Sequence, residues 1–309
     1  LFAGEGWKLA IQASGARRSL GSPIGDSSLP ARAIQDRFVE VFGARVHYQF
    51  SGKGRPLLLL HGLVGSGGNW HQNIGFLSRY ASVYAVDLFN MGESQRVPGL
   101  DASLEATADR IAAMMDVLGL PAADIAAHSH GGAIAMMLAA RHPDRVRKLI
   151  LFAPANPFCD AGRHLIHFYN TRTGAWFARR IPSLPRMLHA TALARMYGDP
   201  ARVAEGTLET YTAGMLIPGT IDHVLRIVAG WYDDMRELRS ALASLASKPA
   251  LLIWGDRDRA VTLPSGERLR QMMPMSKLMV IPGVGHLPFA EMPDACNQAM
   301  LEWLVGAEA

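Results

Sequence analysis

Ser129 stands between an apolar run, residues 124–128, and a small-residue run of helical character, residues 131–140. A strand-to-helix turn holds a serine hydroxyl away from its own backbone, and the opening helix points free N–H groups at any negative charge that forms beside it. That placement suits a nucleophile, and it also suits a serine that only caps the helix. The string Ala127-His128-Ser129-His130-Gly131 is one methyl group away from G-x-S-x-G, because Ala127 occupies the place of the first glycine. At neutral pH a serine hydroxyl needs a base, and the base needs an acid to fix its tautomer and stabilise its cation. His286 sits in the Gly/Pro-punctuated loop 281–288 after the apolar run 277–281, and Asp258 sits just beyond the run 249–254. Both would therefore project from strand ends. Asp256, Asp160 and Asp87 compete with Asp258 for the role of acid.

The elements that must position these groups alternate. Two apolar runs flanking Gly43-Ala44, residues 38–42 and 45–50, read as an opening antiparallel hairpin. Strands are then expected near 57–61, 82–87, 124–128, 147–153, 249–254 and 277–281, with helices near 70–80, 103–119, 130–142, 263–273 and 292–305. This is an α/β pattern, a mostly parallel central sheet covered by helices on both faces. Reactive groups in such sheets gather at the carboxyl ends of the strands, where Ser129, Asp258 and His286 all fall. Residues 155–248 break the alternation with a long helical stretch and read as an inserted helical cap, or lid, over a core made of residues 34–154 and 249–309.

The order Ser129, Asp258, His286 resembles that of the α/β-hydrolase fold superfamily, and further strings carry the resemblance. They are His61-Gly62 opening the glycine-rich loop to Trp70, the turn Asp87-Leu-Phe-Asn-Met-Gly-Glu-Ser94 with Asn90 in place of a glycine, Arg141-His-Pro-Asp-Arg-Val146 before a strand, and Gly285-His286 with Glu291 and Pro293. The resemblance runs from about Arg37 to the C-terminus and implies a serine hydrolase with a helical cap. It favours Asp258 as the acid and points to the backbone N–H groups of Leu63 and His130 as the oxyanion hole, which needs two such donors. Candidate pocket residues are His61, Gly62, Trp70, Trp176, Trp231 and Leu287. His128 reads as structural, and the His130 side chain as packed or as tuning pocket polarity.

Members that use aspartate as nucleophile, such as epoxide hydrolases and haloalkane dehalogenases, differ from this chain at position 129. The leading expectation is a carboxylic ester hydrolase working through an acyl-enzyme on a small, apolar ester or acyl substrate. C–C bond hydrolysis of the meta-cleavage-product type, acyl transfer, and a ligand-binding role without catalysis remain open beside it. No metal or organic cofactor is called for. His164 and His167 lie three apart, but no third ligand follows at a telling spacing.

Composition narrows the classes. The 309 residues are 49% hydrophobic, enough for a large core. A net charge of +4 with no basic tail argues against a nucleic-acid partner. Cys159 and Cys296 have neither disulfide nor zinc spacing, so a reducing, cytoplasmic setting is the default. No run is long enough to span a bilayer, and the first 30 residues lack a signal peptide's apolar region, although a start at Leu1 leaves export open. Residues 1–33, rich in Gly, Ser and Ala, read as a flexible N-terminal extension. Between Arg163 and Arg195 the cap carries six arginines and no carboxylate, interleaved with Phe168, Tyr169, Trp176, Phe177 and Met187. Such a face either attracts a membrane surface or lays arginine stems over apolar neighbours in water.

Overall fold

Residues 33–306 are described by a computed structural model, so the N-terminal extension expected over 1–33 lies outside the described residues except for Ala33. Eight strands form one sheet: β1 (Gln35–Val41), β2 (Ala44–Gly52), β3 (Pro56–Leu60), β4 (Ser82–Val86), β5 (Ala123–His128), β6 (Val146–Phe152), β7 (Ala250–Gly255) and β8 (Ser276–Ile281). Their order is β1-β2-β4-β3-β5-β6-β7-β8. The first two pairings, β1 with β2 and β2 with β4, are antiparallel. All later pairings are parallel. The parallel strands are buried on both faces, which is why Leu57 to Leu60 read as an unbroken apolar run.

Helices α1 (His71–Leu77), α2 (Leu104–Val117) and α3 (Ser129–Arg141) connect the earlier strands. Between β6 and β7 the chain is entirely helical or looped, with α4 (Arg163–Tyr169), α5 (Arg172–Arg180), α6 (Arg186–Ala194), α7 (Thr207–Met215) and α8 (Thr220–Ala241). Then come α9 (Leu263–Met272), α10 (Pro288–Glu291) and α11 (Pro293–Val305). Two hydrophobic clusters lie within the fold. One joins α2, α3 and the inner end of α8 to the sheet. The other joins α1, α10 and α11, with Trp70, Phe152 and Phe289 at its centre.

The expected strands and helices are present, with one shift at the first hairpin. Phe42 and Gly43, not Gly43 and Ala44, form its turn: both have positive φ, and Ala44 already pairs with Val41. A two-residue turn of this hand needs left-handed backbone at both positions, and Phe42 adopts it with its ring in solvent. The sequence pattern missed α10, a single turn too short to show a period.

The helical insertion is tied to the core by polar contacts. Arg96 donates to the Thr220 hydroxyl and the Gly214 carbonyl, and Asn69 donates to the Thr210 hydroxyl. Asp234 of α8 accepts from the backbone N–H of Leu104 at 3.0 Å, at the start of α2. Burial pushes this carboxyl up to about 6, against the smaller pull of the Leu104 N–H. The folded protein therefore holds a proton on Asp234 that the unfolded chain has released, so stability falls as pH rises from about 4 to about 6. Asp234→Asn, which keeps an acceptor but carries no charge, should be more stable than wild type above about pH 6 by about 1–2 kcal/mol, with the gap closing near pH 4. Urea unfolding across that range measures it.

Candidate active site

β5 lies in the middle of the sheet, and its last residue, His128, hands the chain to α3 at Ser129. Ser129 has φ +50°, a left-handed value that a non-glycine residue holds only where its surroundings enforce it. The loop after β3 supplies one wall. A Cβ on Gly62 would lie 2.7 Å from His128 Nδ1 and 3.1 Å from Ser129 Cβ, so only a glycine lets that loop press against the turn. Gly131 is confined in the same way by the carbonyls of Leu60 and His61.

The structure brings three of the predicted residues into one hydrogen-bonded row. His286 Nε2 lies 3.0 Å from Ser129 Oγ, and His286 Nδ1 lies 2.8 Å from Asp258 Oδ2. Asp258 is aimed by its second oxygen, which accepts from the N–H groups of Ala260 and Val261. Asp258 and His286 are buried, whereas Ser129 remains partly exposed. The competing acids are engaged elsewhere. Asp256 accepts from Gly283 N–H, Asp160 pairs with Arg163, and Asp87 bonds His47.

The Leu63 N–H, in the loop after β3, has no acceptor among the described residues. The His130 N–H lies in the first turn of α3, where a helix has no internal acceptor to offer. Val64, next to Leu63, is left-handed at φ +62°, so this loop is held in an unusual shape close to where Gly62 meets the Ser129 turn.

The sequence pattern of the α/β hydrolase fold matches residues 55–293. The chain belongs to the α/β-hydrolase fold family. Relatives at moderate identity include the dihydrolipoyllysine-residue acetyltransferase component of the acetoin cleaving system of Pseudomonas putida, 28% identical over 81% of this chain. The chain spans 64% of that relative's length. A 2-hydroxy-6-oxo-2,4-heptadienoate hydrolase of P. putida is 26% identical over 81% of this chain and 89% of its own length. A pimeloyl-[acyl-carrier protein] methyl ester esterase of Nitrosomonas europaea is 27% identical over 81% of this chain and 96% of its own. Among solved structures, a meta-cleavage product hydrolase from Pseudomonas fluorescens superposes with a TM-score of 0.74 at 23% identity, covering 88% of this chain and 98% of the other.

Within this α/β-hydrolase fold, the residues expected to line a pocket separate into groups. Gly62 abuts Ser129, and the half-buried Trp231 stacks on His130 with ring centroids 6.3 Å apart. The other candidates are placed differently. His61 is buried with both ring nitrogens in use, Nδ1–H donating to the Gly62 carbonyl and Nε2 accepting from Leu88 N–H, so it braces two loops. Trp70 has no exposed surface and stacks on Phe289 at 4.1 Å, and Leu287 packs into the same cluster. Trp176 stands on the exposed face of α5 under Arg180.

Four buried histidines are held neutral. Burial lowers His61, His128 and His130, the last to about 3, and with nearby arginines it lowers His223 to about 4. His128 Nε2–H donates to the His286 carbonyl at 2.9 Å, which fixes the backbone of the loop carrying His286. His130 Nδ1 is buried with no partner among the described residues. His167 meets the hydroxyl of Tyr232 at 3.3 Å. Among the described residues no group of three or more His, Cys, Asp or Glu is placed to hold a metal ion.

Sequence reasoning missed the parts played by three residues. Asn90 has φ +61°, a position where glycine or asparagine is tolerated, and its side chain bonds both backbone groups of Val97 and approaches His223. His223 lies in the helical insertion, 133 residues further along, so no local signal marks the pairing. The sequence marks Glu291 only as part of a string. Its buried carboxylate accepts from the N–H groups of Gly285 (2.8 Å), Gly198 (2.9 Å) and Asp199 (2.9 Å), with Arg202 at 3.3 Å. It binds the His286 loop to the helical insertion.

Two measurements follow from this geometry. Glu291→Gln turns an amide NH2 toward N–H donors and should cost about 2–4 kcal/mol in urea unfolding. Ala127→Gly removes one buried methyl from β5, where Ala127 pairs with Leu60 and Leu151. It should lower stability by about 1 kcal/mol while any turnover that depends on Ser129 changes less than about twofold.

Proposed function

We propose that the protein is a serine hydrolase acting on carboxylic esters through an acyl-enzyme. The observation that carries this reading is the continuous row from Ser129 Oγ through His286 to Asp258, at 3.0 Å and 2.8 Å. Ser129 Oγ attacks the ester carbonyl while His286 Nε2 takes its proton, and Asp258 keeps Nδ1 protonated and stabilises the imidazolium. The oxyanion is received by the N–H groups of Leu63 and His130. His286 then protonates the departing alkoxide, and water, activated by the same imidazole, releases the acid. The helical insertion between β6 and β7 acts as a lid that shapes the pocket and limits water. The similar esterase of N. europaea supports an ester as the bond cleaved.

C–C bond hydrolysis is the second reading, favoured by the relative named as a 2-hydroxy-6-oxo-2,4-heptadienoate hydrolase. The same serine, histidine and oxyanion donors would serve it, and the substrates distinguish the two. Turnover of a p-nitrophenyl ester series from short to long acyl chains, abolished in Ser129→Ala, supports the ester reading. Asp258→Asn should fold normally and lose about 10³–10⁴-fold in kcat. Cleavage of a vinylogous diketone by an enzyme inert toward every ester would overturn it in favour of C–C hydrolysis.

A further inference from the structure

Helix α5 is built inside out. Its only buried residues are Gly174 and Ala178, while Trp176 and Phe177 are 52% and 51% exposed. The small residues are what seat it: a Cβ on Gly174 would collide with the backbone of Phe168 and Tyr169, so α5 lies directly against the end of α4. An ordinary surface helix turns its large apolar residues inward and its charges outward. Here both the rings and the arginines point out.

The neighbouring elements continue the pattern. From Arg163 to Ala192 only Gly174 and Ala178 are buried. Leu165, Phe168, Leu184, Met187 and Leu188 are exposed with the two rings of α5. Phe168 meets Phe177, and Phe177 meets Trp176, at centroid distances of 6.1 Å and 5.0 Å. Single exposed apolar side chains need no explanation, but a run of them on adjoining helices marks a surface that something covers.

Charge says what covers it. The stretch 163–195 holds six arginines and no carboxylate. Arg163, Arg179 and Arg186 have carboxylate partners from outside the stretch, Asp160, Asp222 and Glu209, in pairs that are open to solvent and therefore weakly held. Arg172, Arg180 and Arg195 have no carboxylate partner among the described residues, and Arg180 lies over the Trp176 ring at 5.0 Å. Exposed Trp and Phe between unpaired arginines match the interface of a bilayer with anionic headgroups, where rings enter the acyl boundary and guanidinium groups meet phosphate.

We infer that the outer face of α4, α5 and the segment through Leu188 docks on an anionic lipid surface. This goes beyond hydrolysis and does not depend on which bond Ser129 cleaves. The test is co-sedimentation of the full chain with vesicles of phosphatidylcholine alone and of phosphatidylcholine mixed with phosphatidylglycerol. Wild type should partition at least about tenfold more strongly to the anionic vesicles, and added salt should weaken that preference. Phe177→Ser should weaken partitioning, and the pair Arg172→Glu and Arg180→Glu should abolish the anionic preference, with thermal melting unchanged in each. The salt response of wild type stands as evidence even where a variant fails to fold. Equal partitioning to both vesicle types, or to neither, overturns the proposal. So does concentration-dependent self-association without vesicles that Phe177→Ser removes, which would make a second copy of the chain the cover.

Discussion

The backbone at Ser129 is held in a left-handed conformation that costs an L-residue of order 1–3 kcal/mol, and much of the surrounding structure serves to hold it there. Gly62 and Gly131 let two chain segments close around it, and Ala155 donates its N–H to the Ser129 carbonyl at 2.9 Å. Val64, Asn90 and Ala153 are non-glycine residues with positive φ too, each just beyond a parallel strand or in the loop that follows it. Local strain is thus concentrated along one rim of the sheet. The unstrained, fully buried strands beneath that rim supply the packing energy that holds it in place.

Electrostatics follow the same division. His61, His128, His130 and His223 stay neutral because burial penalises their cations. Buried carboxylates are met by backbone N–H groups, by an imidazole or, at Asp124, by the Arg147 guanidinium. Asp87 shows the balance: burial pushes its carboxyl up, but His47 and the N–H groups of Glu93 and Gly67 bring it below the ordinary carboxylate range. A site organised this way leaves few competing charges near Ser129, so under the proposed mechanism the N–H groups of Leu63 and His130 would act on an oxyanion with little screening.

Much of this was legible in the sequence because it is written locally. Periodicity marks the strands, Gly and Pro mark the loops, and a serine on a strand-to-helix junction announces its own geometry. Ser129, Asp258 and His286 fall at strand ends, so their meeting follows from the topology once the alternation is read. What escaped depends on distance in the chain. His61 and Trp70 look like pocket residues beside a glycine-rich loop, yet only the packing of α1 against α10 and α11 reveals that Trp70 belongs to the core. The bracing by Glu291 and the contact of His223 with Asn90 join segments about 90 and 133 residues apart, which no single-sequence pattern encodes.

Glu291 also redraws the boundary between the helical insertion and the body of the fold. Although residues 196–199 belong by sequence to the helical insertion, Met196 accepts from the His286 N–H, and Gly198 and Asp199 donate to the same carboxylate that holds Gly285. The insertion is therefore modular only in part. A chimera that exchanged everything between β6 and β7 for a relative's helices would remove half of the clamp around the His286 loop. One that kept the Met196–Asp199 strap while exchanging the helices before it would leave the histidine's mounting intact.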